Sequence, residues 1–414
     1  KILMEEGKWS KKPVPAARSD VLNPIRATLE KDFKIPTDHE KTLVNFTLGE
    51  PTKANGYPLP DVTKEAIIEC VDSEKDNGYT HSSGNPAARQ AVVDKYSTEE
   101  APFSADDVLL TFGCSGAQYT VFSAMCEPGD NVLVPRPGFP LCLPIAQNLG
   151  VELRYYDLDP ENDFNIKLDT LESQIDEKTK FFMVINPSNP CGSVFSKEHM
   201  EEIIAVSEKH QVPIVADEIY YGFSFDESKP FHSFAHVSTT TPMICLGAIS
   251  KTYCVPGWRL GWIICYNRGG YFDDILTNMG KLAMIWLHPS TIVMKALVRI
   301  LGEVPDSYFE ETKAKLKEAA QKAFDVLSGI KGVKPVKAKG AMYMMVLIEH
   351  DAFEDIEDDV DFCKKLLEEQ NCFVLPSKCF FAKNMFRIVL CHPIEKFDAL
   401  SERIQEFCAA HLKK

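Results

Sequence analysis

Apolar positions change their spacing along the chain, and those changes divide it. Before about residue 40 no period holds. The stretch is polar, and Pro13, Pro15, Pro24 and Pro36 break any long helix, which predicts an arm lying on another surface. Residues 44–48 alternate like a short strand and run into the turn Gly49-Glu50-Pro51. Helical spacing follows over 61–75, through Val62, Ala66, Ile67, Cys70 and Val71, and again over 86–96 behind Pro86. From about 107 short apolar runs predict strands at 108–112, 131–134, 181–185, 213–216, 243–249 and 260–265, with a helix over 118–126. Short buried strands separated by helical or loop segments imply an α/β fold, a mostly parallel sheet covered by helices on both faces. After Pro289 the pattern turns to long helices, 290–302 and 307–328. Strands at 341–348, 372–375 and 386–390 and helices at 360–369 and 396–412 then predict a smaller α+β domain. The expected division is an arm, 1–50, that joins the small domain, a large domain, 51–304, and a small C-terminal domain, 305–414.

Charge narrows the class of partner. A net charge of −15 over 414 residues argues against nucleic acid or an anionic membrane, both of which recruit basic surfaces. No apolar run approaches the roughly 20 residues of a membrane span, and the first residues lack the pattern of a secretory signal. Thirteen scattered cysteines, with no CxxC pair, read as small buried hydrophobes in a reducing compartment, so a cytoplasmic location is expected. His232 and His236 sit four apart without the glutamate of a zinc-protease helix, and no metal is expected.

The chemistry-bearing residues fall where predicted strands end, which in open α/β sheets is where ligands bind. Lys251 follows the run 243–249. Lysine is rarely buried unless paired, and one held in an apolar surround is a nucleophile. Arg259, eight residues on, offers a planar fork suited to phosphate. Both could equally be strand-end residues facing water. Asp217 ends the run before it, with Tyr220 three residues later, on one face if the chain turns helically there; an Asp in that place also serves as an ordinary helix cap. Ser115-Gly116-Ala117 before a helix supplies free N–H groups and a hydroxyl for a phosphate, or a plain serine cap. In Asn186-Pro187-Ser188-Asn189-Pro190 a turn explains the Asn-Pro pairs in part, and an asparagine amide there can also donate to an oxyanion. Pro190 and Pro137 are candidates for cis bonds. Arg387 interrupts an apolar strand, where a charge requires a partner.

Taken in this order, Ser250-Lys251 with Gly257-Trp258-Arg259-Leu260-Gly261 resembles the lysine signature of class I aminotransferases, the pyridoxal-phosphate enzymes of fold type I. NPIR at 23–26, PRPGF at 135–139, NPSNPCGSVFS at 186–196, ADEIY at 216–220 and GAMYMM at 340–345 extend the resemblance to the C-terminus, closest to the branch acting on tyrosine. Ala248 and Cys254 depart from the usual pattern, and the first puts one hydroxyl contact to phosphate in doubt. The resemblance implies pyridoxal 5′-phosphate as cofactor, in Schiff-base linkage to Lys251. Asp217 would face its ring nitrogen, Tyr220 and Asn189 its phenolate oxygen, and Phe139 its ring. Ser115, Gly116, Ala117, Ser250 and Arg259 would hold its phosphate, with Tyr79 reaching across from a second subunit of a homodimer. Arg387, with the backbone at Gly49, would take the substrate carboxylate; Arg26, Trp286 and His288 are guesses for the side-chain pocket. The expected activity is amino transfer from an aromatic amino acid, tyrosine first, to 2-oxoglutarate. A broad-specificity or alanine/aspartate-type transaminase, a carbon–sulfur lyase, a cyclopropane-carboxylate synthase and a non-catalytic cofactor-binding regulator are the alternatives.

Overall fold

A computed structural model describes Ala16 and residues 20–413. Pro13 and Pro15 lie outside the described residues. In the arm, NPIR is a helix start: Asn23 caps α1 (Pro24–Asp32) by accepting from the Ile25 N–H, and Pro24 takes the first helical position, where no donor is missed. The strand expected over 44–48 shrinks to β1 (Val44–Asn45), which pairs in parallel with Cys372–Phe373 of the terminal domain. Then come α2 (Asp61–Ser73) and α3 (Pro86–Tyr96).

The large sheet takes β2 (Val108–Thr111), β3 (Asn131–Arg136), β4 (Glu152–Asp159), β5 (Asn165–Ile166), β6 (Thr179–Ile185), β7 (Ile214–Asp217), β8 (Met243–Ala248) and β9 (Gly261–Tyr266). Its order is β2-β9-β8-β7-β6-β3-β4-β5. Pairs β3–β4, β3–β6, β6–β7 and β7–β8 are parallel; β9 runs against both its neighbours and β5 against β4. The two middle strands, β7 and β8, are buried at every position, as a sheet covered on both faces requires. One face packs on α2, α3 and α11 (Thr291–Glu303); the other packs on α4 (Gly113–Met125), α5 (Cys142–Leu149) and α10 (Asp273–Trp286). Several elements were not foreseen. Among the strands these include β4, half-exposed and polar, and the two-residue β5. Among the helices they include α5, α6 (Leu168–Glu172), α7 (Lys197–His210), α8 (Phe234–Val237) and α10, the last starting without a proline or a capping side chain.

A second core forms around α12 (Asp306–Leu327) and a four-stranded antiparallel sheet, β10-β11-β14-β13. Its strands are β10 (Val333–Pro335), β11 (Tyr343–Ile348), β13 (Leu375–Pro376) and β14 (Met385–Val389), with β12 (Cys372–Phe373) pairing apart, on β1. Helices α13 (Asp359–Gln370) and α14 (Glu395–His411) cover it. Val44 and Phe46 of the arm are buried in this core, and so are Tyr220, Phe223 and Phe225 from the loop after β7. That loop therefore spans both cores, and the site lies beside it.

Candidate active site

Six strands of the large sheet deliver side chains to one edge. After β8 the chain makes one helical turn, α9 (Ile249–Thr252), so Lys251 stands on that turn and not at the end of an extended run. Its ammonium donates to the Gly49 carbonyl at 2.6 Å, and no carboxylate pairs with it among the described residues. β7 ends on Asp217, β6 leads into Asn189, β3 leads into Phe139, and β2 turns into α4. Because β9 runs the other way, its start brings Arg259 to the same edge. Ser115, Phe139, Asn189, Asp217, Tyr220, Ser250, Lys251 and Arg259 line one cleft of about 220 Å³, together with Cys114, Gln118 and Tyr343. The peptide bonds before Pro137, Pro187 and Pro190 are all cis.

At the α4 end the geometry is built for an anion. The helix begins five residues before the expected position, so Ser115 is its third residue and no cap; the residue before it, Phe112, supplies no capping side chain. The N–H groups of Gly113, Cys114 and Ser115, in the first turn, consequently have no intrahelical partner. Arg259 sits above them in a left-handed conformation (φ 53°) and, among the described residues, donates to the carbonyls of Pro256 and Phe112, at 3.0 and 3.2 Å. A Cβ on Gly113 would stand 2.5 Å from that guanidinium, so only glycine lets it come this close. A cation held by two carbonyls next to unpaired N–H groups fits a phosphate. Ser115 and Ser250, also in the cleft, add hydroxyl donors.

Asp217 is 3% exposed. Burial pushes its carboxyl up to about 6, despite donors from the Ile219 N–H at 3.1 Å and the Gln118 amide at 2.9 Å. A buried carboxylate so placed fits a protonated ring nitrogen, the one partner type its surroundings lack. The segment after it is a turn and not the helix considered above: Tyr221 N–H donates to the Glu218 carbonyl and Phe223 N–H to that of Tyr220. The turn sends Asp217 and Tyr220 into the cleft and Glu218 to the opposite side. There Glu218 accepts from Ser233 Oγ and the Phe234 N–H, and burial raises its carboxyl to about 8. Between about 4.5 and 8 the folded chain thus holds a proton that the unfolded chain has released. The stability this contributes is complete below about 4.5 and is lost as pH rises through about 8. Glu218→Gln should raise the melting temperature over wild type near pH 8 and leave it unchanged near pH 4.5, as thermal melts at the two values will show.

The opposite wall comes from the small core. Arg387 on β14 is 4% exposed and lies between the rings of Tyr343 and Phe380, at 4.4 and 4.8 Å. It donates to Asn189 Oδ1 at 3.0 Å and to the Thr47 carbonyl at 2.5 Å, while its Nε has no partner. A desolvated guanidinium without an anion is costly, and a substrate carboxylate would complete it. Tyr220 and Tyr343 share a hydrogen bond at 2.8 Å. A Cβ on Gly49 would fall 2.3 Å from the Tyr343 hydroxyl, so the glycine makes room for that phenol. Not every predicted residue is here. Ala117 is buried one turn into α4, Arg26 is exposed on α1, and Tyr79 is 89% exposed; these three, with Gly116, and with Gly49 and Arg387 against Tyr343, are not among the residues lining the cleft. His288 accepts from the Thr80 N–H and meets the Tyr79 ring, while Trp286 packs on Tyr119 of α4; neither is among the residues lining the cleft.

The fold and this set of side chains define an aminotransferase. The model of class I and II aminotransferases matches residues 41–404, and the chain belongs to that family. Among relatives, it is 40% identical over 407 residues to the tyrosine aminotransferase of Mus musculus, covering 98% of this chain and 89% of that one. The Homo sapiens tyrosine aminotransferase is also 40% identical, over 99% of this chain and 90% of its own. Among solved structures, a tyrosine aminotransferase of Leishmania infantum superposes with a TM-score of 0.93 at 30% identity, over 97% of this chain and all of the other.

Proposed function

We propose that the chain transfers the amino group of an aromatic amino acid, tyrosine first, to 2-oxoglutarate, using pyridoxal 5′-phosphate. The observation that carries this reading is one cleft holding a lysine without a carboxylate partner, a buried carboxylate and an anion cradle, with the buried Arg387 guanidinium against its lining residues Asn189 and Tyr343. When bound, the cofactor supplies an electron sink for the charge that develops at the substrate Cα. Lys251 Nζ would hold the cofactor and, as an amine without a carboxylate partner, would move the proton at the substrate Cα. Asp217 would hold the ring nitrogen, Tyr220 and Asn189 the phenolate oxygen and Phe139 the ring, and Arg387 would take the substrate carboxylate. Incubating the protein with tyrosine, 2-oxoglutarate and cofactor should yield glutamate and the aromatic 2-oxo acid. A panel with Phe, Trp, Asp, Ala and Met, against oxaloacetate and pyruvate as well, ranks the alternatives. Retention of the cofactor with no glutamate from any donor would sink the reading.

The working unit in this proposal is a homodimer in which Tyr79 serves the partner's phosphate. No helix among the described residues is long and apolar enough to cross a membrane. Met284, Ile285 and Leu287 are 63%, 73% and 45% exposed, and His288 beside them meets the Tyr79 ring at 6.0 Å. Tyr79→Phe and Lys251→Ala should then complement on mixing, since a mixed dimer contains one site with neither change. The Phe variant loses one hydrogen bond to a charged group, about 1.5–3 kcal/mol, and should weaken cofactor retention more than turnover. Sedimentation showing monomer alone, or mixing that restores nothing, counts against the shared site. All thirteen cysteines are free and eleven are buried, which supports placing the protein in a reducing compartment such as the cytoplasm.

A further inference from the structure

We infer that Gln118 is the positioning residue that keeps Asp217 ionised and aimed into the cleft. The inference rests on the proposed role of Asp217. Gln118 is on α4, one turn past the anion cradle, and is 2% exposed. A glutamine buried in an apolar helix face must satisfy both ends of its amide, and here both are satisfied in only one orientation. Its Nε2 donates to Asp217 Oδ2 at 2.9 Å, and its Oε1 faces the Cys142 thiol at 3.9 Å. Since an ionised carboxylate can only accept, the amine end must face it. Cys114 Sγ, at 3.4 Å, and the Ile219 N–H, at 3.1 Å, take the other oxygen. Thiols are weak donors and the backbone N–H is fixed by the turn, so the Gln118 amide is the strong donor that a substitution can remove. One helix thereby carries the cradle for the phosphate and the donor for the carboxylate at the far end of the ring.

The groups facing Asp217 from its surroundings are Cys114 on α4, Cys142 on α5, Glu218 and Tyr220 on its own loop, and Lys251 and Arg259 across the cleft. Neither thiol offers a positive charge to replace the lost donor. In the apo-protein, the Asp217 titration can be followed as the protonated-carboxyl infrared band that Asp217→Asn removes. Gln118→Leu should move that titration upward by about one to two pH units, the size of one hydrogen bond to a charged group. Gln118→Met serves if the Leu variant folds poorly. A second readout isolates the charge. On the same variant, affinity for pyridoxal 5′-phosphate should fall about tenfold near neutrality, while affinity for an analogue with carbon in place of the ring nitrogen should not change. An unmoved infrared titration, or equal losses for both ligands, would show that Gln118 only fills space. If wild type binds neither ligand, the cofactor reading fails, and the infrared titration still decides the role of Gln118.

Discussion

Lys251→Ala is expected to abolish turnover while the protein still takes up cofactor. Among the described residues the Lys251 side chain makes a single hydrogen bond, to the Gly49 carbonyl, and truncating it breaks no ion pair. Folding should therefore be little affected. The groups that fit the phosphate, Ser115, Ser250 and Arg259, are on separate elements and stay in place. What disappears is the amine that, in the proposed mechanism, carries the proton at the substrate Cα. Loss of a general acid–base group costs roughly 10²–10⁴-fold, and here the covalent hold on the cofactor goes as well, so the fall should be at least that large. Steady-state turnover and equilibrium dialysis of the cofactor, run on one preparation, check the two halves. Near-normal turnover would end the assignment of Lys251.

The residues legible in the sequence are those whose type conflicts with their local pattern. A lysine after the run 243–249, an aspartate closing a buried strand and an arginine inside β14 each break a hydrophobic pattern, and the structure brings all three to one cavity or its wall. The parallel strands were readable for the same reason: full burial leaves an unbroken apolar run. Gln118, Cys114 and Tyr343 break no pattern. A glutamine in a helix and a thiol beside a small-residue turn have ordinary local readings, and their roles come from contacts with Asp217 about a hundred residues away. Tyr343 looked like one more apolar strand residue, although its hydroxyl reaches Tyr220 and its ring stacks on Arg387. The start of α4 was misplaced because Gly113–Ala117 has the composition of a turn; those small residues are what lets Arg259 and an anion approach the helix end. β4 and β5 were missed for a plainer reason: β4 is half-exposed and alternates too weakly to be seen, and β5 has only two residues.

Arg387→Met is expected to cost roughly 10²–10³ in kcat/KM for an aromatic amino acid, mainly through KM, and almost nothing for the matching amine. Burial opposes the charge on Arg387, and no carboxylate offsets it; two rings, a carbonyl and the Asn189 amide oxygen hold the guanidinium ready. Such preorganisation means a substrate carboxylate meets donors that need no further ordering. Removing one partner of a buried, hydrogen-bonded charge pair costs about 2–5 kcal/mol, and each 1.36 kcal/mol is tenfold in rate. Methionine keeps most of the side-chain volume between Tyr343 and Phe380, so the cavity effect stays small. Tyramine has the ring and the amine of tyrosine but no carboxylate. If Arg387 binds the carboxylate, wild type should strongly prefer tyrosine, and the variant should lose that preference while handling tyramine as wild type does. Both substrates are measured on one variant, so any general damage to the fold lowers them together. Equal losses for the two would place Arg387 in the architecture of the small core, holding Tyr343 and Asn189, and would leave the substrate carboxylate to be bound elsewhere.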